Sequence, residues 1–261
     1  MGVEVMKEKH YTFRLPSKWT KTQALMKNSQ VARWVPATKK LTTANLRAML
    51  GQYAMIYIKP DRGSKGIGVM QIAKSGGSGS TVYRCQTGIK VRSFSSYESM
   101  EKYVLAFAGI KDYLIQKGIQ LTQFNGRAYD LRVMVQIGPR QQWETTGMVG
   151  RLAQQGRIVT NGSQGAESVS VDILFPKPQT KRLKARLNHL GLTTANHLQK
   201  LYPAIREIGL DVAFDPQFKP WILEVNTFPE PHPFMKLEDQ RMFRKIIRYG
   251  KAYGRYKGFR V

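Results

Sequence analysis

The chain has 261 residues, of which 42% are hydrophobic and 23% charged, a balance that is ordinary for a folded protein with a substantial core. Its single cysteine, Cys85, excludes an internal disulfide, and no apolar run approaches membrane-spanning length. Forty-two lysines and arginines against 17 aspartates and glutamates give a net charge of +25, which predicts attraction to anionic polymers. Residues 1–14 contain no apolar stretch typical of a secretion signal, so a cytoplasmic location is expected.

The front half of the chain predicts helices mixed with short strands. Ser17 is the expected N-cap of the first helix, and Ser95 with Glu98 forms a capping box for the third. The predicted helices cover residues 18–26, 43–50 and 96–108, and the predicted strands cover residues 53–59, 69–73, 81–86, 89–92 and 113–116. The last of these strands is the expected hinge between two lobes.

The second half predicts a strand pair, two helices, a β-hairpin and a final helix. The strand pair covers residues 128–137 and 141–152, the helices 179–190, 194–208 and 238–253, and the hairpin strands 210–214 and 221–226. Residues 74–80 and 156–164 are rich in turn formers and are expected to be loops. The elements lack regular β-α-β alternation, which favours an α+β fold over a doubly wound sheet.

The predicted hairpin carries a set of oxygen donors. If it is centred on residues 217 and 218, Asp211 lies opposite Glu224, and Phe214 faces Trp221 on the other side. Asn226 shares the face of Glu224, because side chains alternate along a strand. Two opposed carboxylates favour a cation between them, and carboxylate and amide oxygens are ligands that suit Mg²⁺. A solvated polar face on an ordinary hairpin is the alternative.

A second candidate feature is the turn that follows the strand at residues 53–59. Lys59-Pro60 places a cation at the strand end, beside a turn that contains Gly63, Gly66 and Gly68. Backbone amides in such a turn can approach phosphates closely. The turn matches neither a Walker loop nor a dinucleotide-binding fingerprint, since the required Gly-Lys-Ser/Thr and the following helix are both missing. A flexible hairpin turn remains the alternative.

The order of short motifs along the chain resembles that of the ATP-grasp superfamily, and within it the YheC/YheD family, which is described as spore-coat-associated. The resemblance covers about residues 18–233. In chain order, the motifs are Lys18, Lys59-Pro60 with the glycine turn, Leu114-Ile115-Gln116, Asp130-Leu131-Arg132, Arg151, Asn161, Asp211 and Glu224-Val225-Asn226. Each motif is common alone, but their joint order and spacing argue against coincidence.

The resemblance implies an ATP-grasp fold in which two α+β lobes hold ATP in the cleft between them. The expected division is a first lobe with its amino-terminal segment at residues 1–116, a second lobe at 117–235 and a basic tail at 236–261. Only 17 residues precede Lys18, so a full amino-terminal domain before the grasp lobes is not expected. Relatives place glycine after the proline that follows the metal strand, whereas Glu230 follows Pro229 here.

The resemblance also assigns residues to the nucleotide. Lys18 and Lys59 would contact its α- and β-phosphates. The glycine turn would cover the triphosphate with Ser64, Lys65, Gly66 and Gly68. The adenine slot would be lined by Gln116, Lys117 and Ile119.

At the γ-phosphate the resemblance implies a catalytic group and a metal site. Arg132 and Arg151 would neutralise the charge that develops during transfer, and Asn161 would help to orient that end. The metal ligands, for one or two Mg²⁺ or Mn²⁺ ions, would be Asp211, Glu224 and Asn226. The plain alternatives are a surface arginine at position 151 and a turn asparagine at position 161.

The implied activity is that of an ATP- and Mg²⁺-dependent ligase that joins a carboxylate to an amine or thiol through an acyl phosphate. The net charge suggests an acidic polymer or peptide as acceptor, and nucleic acid is not favoured. The alternatives are a kinase that uses the same cleft and a non-catalytic, basic spore-coat or polyanion-binding protein that retains nucleotide binding. The aromatic and basic tail at residues 236–260 either grips a single strand or docks as a helix, and docking is the preferred interpretation.

Overall fold

The computed structural model describes residues 11–76, 81–160, 165–175 and 177–259. Within these ranges the helices are α1 (Lys18–Met26), α2 (Ser29–Ala32), α3 (Thr43–Gln52), α4 (Tyr97–Ala108), α5 (Val171–Leu174), α6 (Lys177–Leu201), α7 (His232–Met235) and α8 (Arg241–Ala252). The strands are β1 (Thr38–Lys40), β2 (Met55–Pro60), β3 (Met70–Ser75), β4 (Val82–Thr87), β5 (Lys90–Phe94), β6 (Tyr113–Lys117), β7 (Gln123–Phe124), β8 (Arg127–Ile137), β9 (Trp143–Leu152), β10 (Glu167–Ser170), β11 (Glu207–Phe214) and β12 (Pro220–Asn226).

A first lobe is built on an antiparallel sheet with the strand order β1-β6-β2-β3-β4-β5. Helices α3 and α4 cover one face, where Leu46, Ile56, Met100 and Ile115 are fully buried in a common core. Strand β6, the expected hinge, lies inside this sheet between β1 and β2. Alternation along the strands points the side chains of Lys59 and Gln116 away from that core.

The second lobe is built on an antiparallel sheet with the order β10-β9-β8-β11-β12, and β7 pairs with the start of β8. On one face, α1, α2, α5 and α6 pack over a large core that includes Val133, Leu187 and Leu210. On the other face, α7 and α8 cover only part of the sheet, around Met134 and Phe234. The uncovered part of that face turns towards the first lobe. Two sheets with helices packed on them confirm the predicted α+β class.

Both ends of the described chain pack on the second sheet. Leu25 in α1 and Trp34 after α2 belong to its large core, although the sequence grouped them with the first lobe. At the other end, Phe243 and Tyr249 are buried along α8, and Tyr256 is buried just after it. The tail therefore docks its aromatic side chains against the sheet, as the preferred interpretation of the tail expected.

One helix replaces the two that the sequence predicts between residues 179 and 208. Helix α6 runs unbroken to Leu201, and β11 begins at Glu207. The predicted break coincides with Gly191, but this glycine serves packing: a Cβ there would lie only 2.9 Å from Cγ2 of Val135 on β8. The glycine allows close approach of helix and sheet.

Two local predictions are off by one residue. Asp211 pairs with Glu224 as predicted, but a bulge after Asp211 shifts the rest of the hairpin by one position. Phe214 consequently pairs with Pro220, and the predicted Phe214–Trp221 pair is wrong. The N-cap of α4 is Ser96, whose Oγ accepts a hydrogen bond from the Ser99 amide, so the capping box at Ser95 is wrong as well.

Candidate functional site: a charged cleft between the lobes

A cavity of about 640 Å³ lies between the two sheets. It brings together most of the residues that the sequence assigned to a nucleotide and metal site. Those lining it are Lys18, Lys59, Ser64, Lys65, Gly66, Gln116, Lys117, Ile119, Arg132, Arg151, Asp211, Glu224 and Asn226. Asn161 lies outside the described residues, and Gly68 does not line the cavity.

A buried ionic network forms the floor of the cavity on the second sheet. Arg151 holds both carboxylate oxygens of Asp130, Nε to Oδ1 at 2.8 Å and Nη2 to Oδ2 at 2.5 Å. Asp211 receives Arg132 Nε on Oδ1 at 2.6 Å and Arg151 Nη2 on Oδ2 at 3.0 Å. Burial alone would raise the pKa of Asp211, but these two guanidiniums outweigh it and lower the pKa to about 2. The network fixes both arginines with charged hydrogen bonds.

Two lysines of α1 face the third carboxylate of the cleft. Nζ of Lys18 lies 3.7 Å from Oε1 of Glu224, and Nζ of Lys21 lies 3.6 Å from the same oxygen. Ser17 caps the helix, as its Oγ accepts from the Thr20 amide, and the helical spacing of three puts both lysines on one side. Burial lowers the pKa of Lys21, although Glu224 opposes that shift.

Lys59, from the first lobe, extends into the part of the cavity that holds Glu224. Nζ of Lys59 donates to Oε1 of Gln116 at 2.6 Å, across the pairing of β2 with β6. Burial lowers the pKa of Lys59 to about 8, and Lys18 adds to the lowering, while the carboxylates of Glu224 and Asp211 oppose it. Lys59 and Glu224 therefore interact across a shared cavity, as the sequence-based site requires.

The glycine turn between β2 and β3 arches over the cavity. Gly66 has a φ of 69°, a backbone conformation that favours glycine, and Lys18 Nζ donates to the carbonyl of Gly63 at 2.9 Å. Gly68 has a φ of 74°, and a Cβ there would come within 2.9 Å of the Tyr113 hydroxyl. Gly68 therefore lies in the bend of the turn and packs against the first sheet.

The end of the cavity away from the arginines is less polar. Tyr57, Ile119, Ile158 and Leu223 line it, which suits a flat aromatic base. Lys117 lies at this end with its Nζ 5.0 Å from the centroid of the Trp221 ring, a cation–π contact. The cavity therefore has an apolar end and a charged end, as a nucleotide requires.

The donor set fits Mg²⁺ only in company with an anion. Asp211, Glu224 and Asn226 offer carboxylate and amide oxygens to the cavity, which are suitable ligands for this metal. However, five cations (Lys18, Lys21, Lys59, Arg132 and Arg151) face three carboxylates there, so the site has an excess of positive charge. In the described part of the chain, no three acidic, histidine or cysteine side chains cluster as a metal cage of their own. A triphosphate that carries the metal would supply the missing negative charge.

The residues near the cleft that the sequence did not assign include four charged side chains. Asp130 is two positions before Arg132 in the Asp-Leu-Arg motif, and Lys21 is one helical turn after Lys18, so both could have been found from spacing. Asp61 is buried and accepts from the Trp19 amide at 2.7 Å, which ties α1 to the glycine turn. Arg14 also lines the cavity, and nothing in its local sequence predicts that position.

Two lobes that close on a cleft of cations and oxygen donors, with an apolar end for a base, define an ATP-grasp protein. Its relatives specify the class further. The chain belongs to the family described as YheC/D like ATP-grasp, which matches residues 8–256. The resemblance inferred from the motif order is thereby confirmed.

Two curated relatives come from Bacillus subtilis (strain 168). The endospore coat-associated protein YheD is 26% identical over 245 residues, 89% of this chain and 53% of YheD. The endospore coat-associated protein YheC is 23% identical over 234 residues, 87% of this chain and 63% of YheC. The chain thus spans less than two thirds of the length of either relative.

Solved structures support the fold. The N5-carboxyaminoimidazole synthetase from Staphylococcus aureus, complexed with ADP, superposes with a TM-score of 0.55 at 10% identity, covering 92% of this chain and 52% of the synthetase. At this identity the similarity shows the ATP-grasp fold and confirms that prediction. None of the described helices combines the length with the apolar composition that a membrane span needs.

Proposed function

We propose that the protein is an ATP- and Mg²⁺-dependent ligase that joins a carboxylate to an amine through an acyl phosphate. The observation that carries the proposal is the meeting of Lys59, Arg132 and Arg151 with the oxygen donors of Asp211 and Glu224 around one cavity. Membership of the ATP-grasp family and the ADP complex of a fold relative support nucleotide binding.

Each group has a role in binding the nucleotide. Lys18 and Lys59 bind the α- and β-phosphates, and the turn with Ser64, Lys65 and Gly66 covers them. Gln116, Lys117 and Ile119 line the adenine slot. Asp211, Glu224 and Asn226 would hold the metal together with the phosphates, and the metal would supply positive charge that offsets that of the triphosphate.

The two arginines act at the γ-phosphate. A carboxylate oxygen of the substrate attacks the γ-phosphorus, the bond from phosphorus to the bridging oxygen breaks, and ADP leaves. The amine then adds to the carbonyl carbon of the acyl phosphate, loses a proton and expels phosphate. Arg132 and Arg151 are held in place by Asp211 and Asp130, so they stabilise the transferring phosphoryl group without reorganising. Asn161, outside the described residues, is proposed to orient the same phosphate.

A test of the proposal follows ADP, phosphate and product together. With candidate acids and hydroxylamine as the amine, the protein should release ADP and phosphate and form a hydroxamate. The double variant Asp211→Asn, Glu224→Gln should lose this turnover, whereas Asp172→Asn, at an exposed carboxylate outside the cavity, should retain it. Full turnover in the double variant would reject the metal site, and ADP release without phosphate release would indicate a kinase.

A second candidate is a non-catalytic polyanion-binding protein that retains nucleotide binding. It is favoured by the net charge of +25 and by the coat association in the names of both curated relatives. It predicts salt-sensitive binding to acidic polymers with no nucleotide turnover. The location of the protein distinguishes the two proposals. A ligase needs the ATP of the cytoplasm, whereas a polyanion-binding protein would be recovered with the spore coat on fractionation.

A further inference from the structure

The end of the cavity next to β12, the strand that carries Glu224 and Asn226, holds a cation that has no ionic partner among the described residues. Arg14 is exposed and lines the cavity. Within the described part of the chain, its guanidinium makes no hydrogen bond and no ion pair. Its one contact of note is with the face of Phe228, where the guanidinium carbon lies 3.9 Å from the ring centroid. A guanidinium stacked in this way keeps its N–H edges available for an oxyanion.

The chain around Arg14 is fastened at the end of β12. The backbone amide of Leu15 donates to the hydroxyl of Thr227, a buried residue, at 2.8 Å. The ring of Tyr11 lies nearly parallel to that of Phe228, with the centroids 6.1 Å apart. Arg14 is thus held beside the residues that directly follow Asn226, so its position is built into the fold.

Phe228 is itself braced from the other side. The guanidinium carbon of Arg255 lies 3.3 Å from the same ring centroid. Two guanidiniums this close to one centroid cannot share a face, so the ring is sandwiched between them. The charge of Arg255 is already used, since its Nε donates to Oε1 of the fully buried Glu207 at 2.9 Å. Arg14 is the member of the sandwich whose charge is left for a ligand.

A second cation adds to this end of the cavity. Lys236 is exposed, lines the cavity, and in the described ranges has no hydrogen bond or ion pair. The single carboxylate among the neighbouring lining residues, Glu230, lies 3.6 Å from His232 and 3.8 Å from Arg255. The wall beyond the metal strand is therefore positively charged, in addition to the arginines that face the phosphates.

We propose that Arg14, assisted by Lys236, binds a second carboxylate of the substrate whose first carboxylate is phosphorylated, so the substrate is a dicarboxylate. The inference rests on the proposed ligase function for the fate of the first carboxylate. The fork of Arg14 forms paired hydrogen bonds with the second carboxylate, and Lys236 adds a point charge. A substrate with one carboxylate would leave this wall unmatched.

The experiment measures binding apart from turnover. Linear dicarboxylates from succinate to pimelate, and the monocarboxylates of the same chain lengths, are titrated calorimetrically into the protein saturated with Mg²⁺ and a non-hydrolysable ATP analogue. At least one dicarboxylate should bind saturably and at least tenfold more tightly than its monocarboxylate. Arg14→Gln should weaken that binding by about 10- to 100-fold, the loss of a charged hydrogen-bond pair. Arg14→Lys should restore part of it.

Arg33→Gln is the matched control. Arg33 is also exposed and also stacks on an aromatic ring, that of Trp34 at 4.8 Å, but it does not line the cavity. The Arg33→Gln protein should bind the dicarboxylates like the wild type. Arg14→Gln, Arg14→Lys and Arg33→Gln should all bind the nucleotide analogue with wild-type affinity. Three results would each overturn the proposed role of Arg14 as the anchor of the second carboxylate: equal binding of mono- and dicarboxylates, no binding of any acid, or wild-type binding by Arg14→Gln.

The two proposals fail separately. Hydroxamate formed equally from mono- and dicarboxylates, and equally by Arg14→Gln, would uphold the ligase and overturn the anchor. Dicarboxylate binding that depends on Arg14, without any release of ADP, would uphold the anchor and overturn the ligase.

Discussion

Replacing Lys59 with methionine should stabilise the free protein while weakening nucleotide binding. The pKa of Lys59 falls from 10.5 to about 8, because burial disfavours its ammonium. At about 1.4 kcal/mol per pKa unit, the charged form costs roughly 3 kcal/mol in the fold. The lost hydrogen bond to Gln116 offsets about 1.5 kcal/mol of that gain. The expected net stabilisation is about 1–2 kcal/mol, or roughly 2–6 °C in melting temperature at neutral pH.

The sign of the pH dependence makes this prediction specific. Below pH 8, Lys59 is charged in both the folded and the unfolded state, so the whole penalty is present. Between about pH 8 and 10.5 the folded protein has lost the proton while the unfolded chain still holds it, so the penalty shrinks as pH rises. Thermal melts of wild type and Lys59→Met from pH 6.5 to 9.5 should therefore converge at the alkaline end.

Lys111→Met is the control, since Lys111 is exposed and should change stability by about 0.5 kcal/mol or less. Calorimetric titration with MgADP should show at least tenfold weaker binding for Lys59→Met and none of this loss for the control. A Lys59→Met protein that melts below the wild type at pH 7, or a difference that stays constant with pH, would refute the reasoning.

Three further predictions concern the metal, the core and the glycine turn. Mn²⁺, followed by electron paramagnetic resonance, should bind at least tenfold more weakly without ADP than with it, and equal affinities would contradict the charge argument. Lys21→Met should narrow the difference between the two affinities, because it removes one of the two lysines that pair with Glu224. Glu207→Gln removes the fully buried carboxylate that accepts from Nε of Arg255 and should cost about 2 kcal/mol in urea unfolding, the loss of a charged hydrogen bond; a cost below about 1 kcal/mol would show that the pair is dispensable. Gly68→Ala should destabilise by about 1–3 kcal/mol because of its positive φ, while Gly51→Ala, in a helix with open space around its Cβ, should stabilise slightly; the reverse order of melting temperatures would be inconsistent with both geometries.

The elements and much of the site follow from local patterns. Alternation along strands was enough to place Glu224 and Asn226 on one face, and a serine before an amphipathic run was enough to begin α1 at Lys18. The errors arose where packing decides between local alternatives. Gly191 resembles a helix break in the sequence, and only its close approach to Val135 in the fold explains the glycine. The bulge after Asp211 changes the register of half a hairpin, and nothing in the composition indicates it.

The residues that the sequence missed depend on contacts between distant segments. Arg14 reaches the cavity only because residues 11–15 are fastened to the end of β12, more than 200 positions away. Lys21 resembles a surface lysine, yet its side chain is enclosed beside Glu224. Short motifs identify the side chains that we propose contact a nucleotide directly, but they contain no information about the groups that neutralise or support them.

Because α1 and α2 pack into the second lobe, the first lobe is an excursion of the chain that leaves the second sheet's core after Val35 and returns after Lys117. The two crossings run side by side, joined by a hydrogen bond from the amide of Lys117 to the carbonyl of Ala37 at 2.8 Å. The covalent connection between the lobes is therefore confined to these two neighbouring crossings, and the other links between the lobes, such as that from the Trp19 amide to Asp61 at 2.7 Å, are non-covalent. Asp211, Arg132 and Arg151 all lie on the second sheet, so a displacement of the first lobe about these crossings would leave their mutual geometry unchanged.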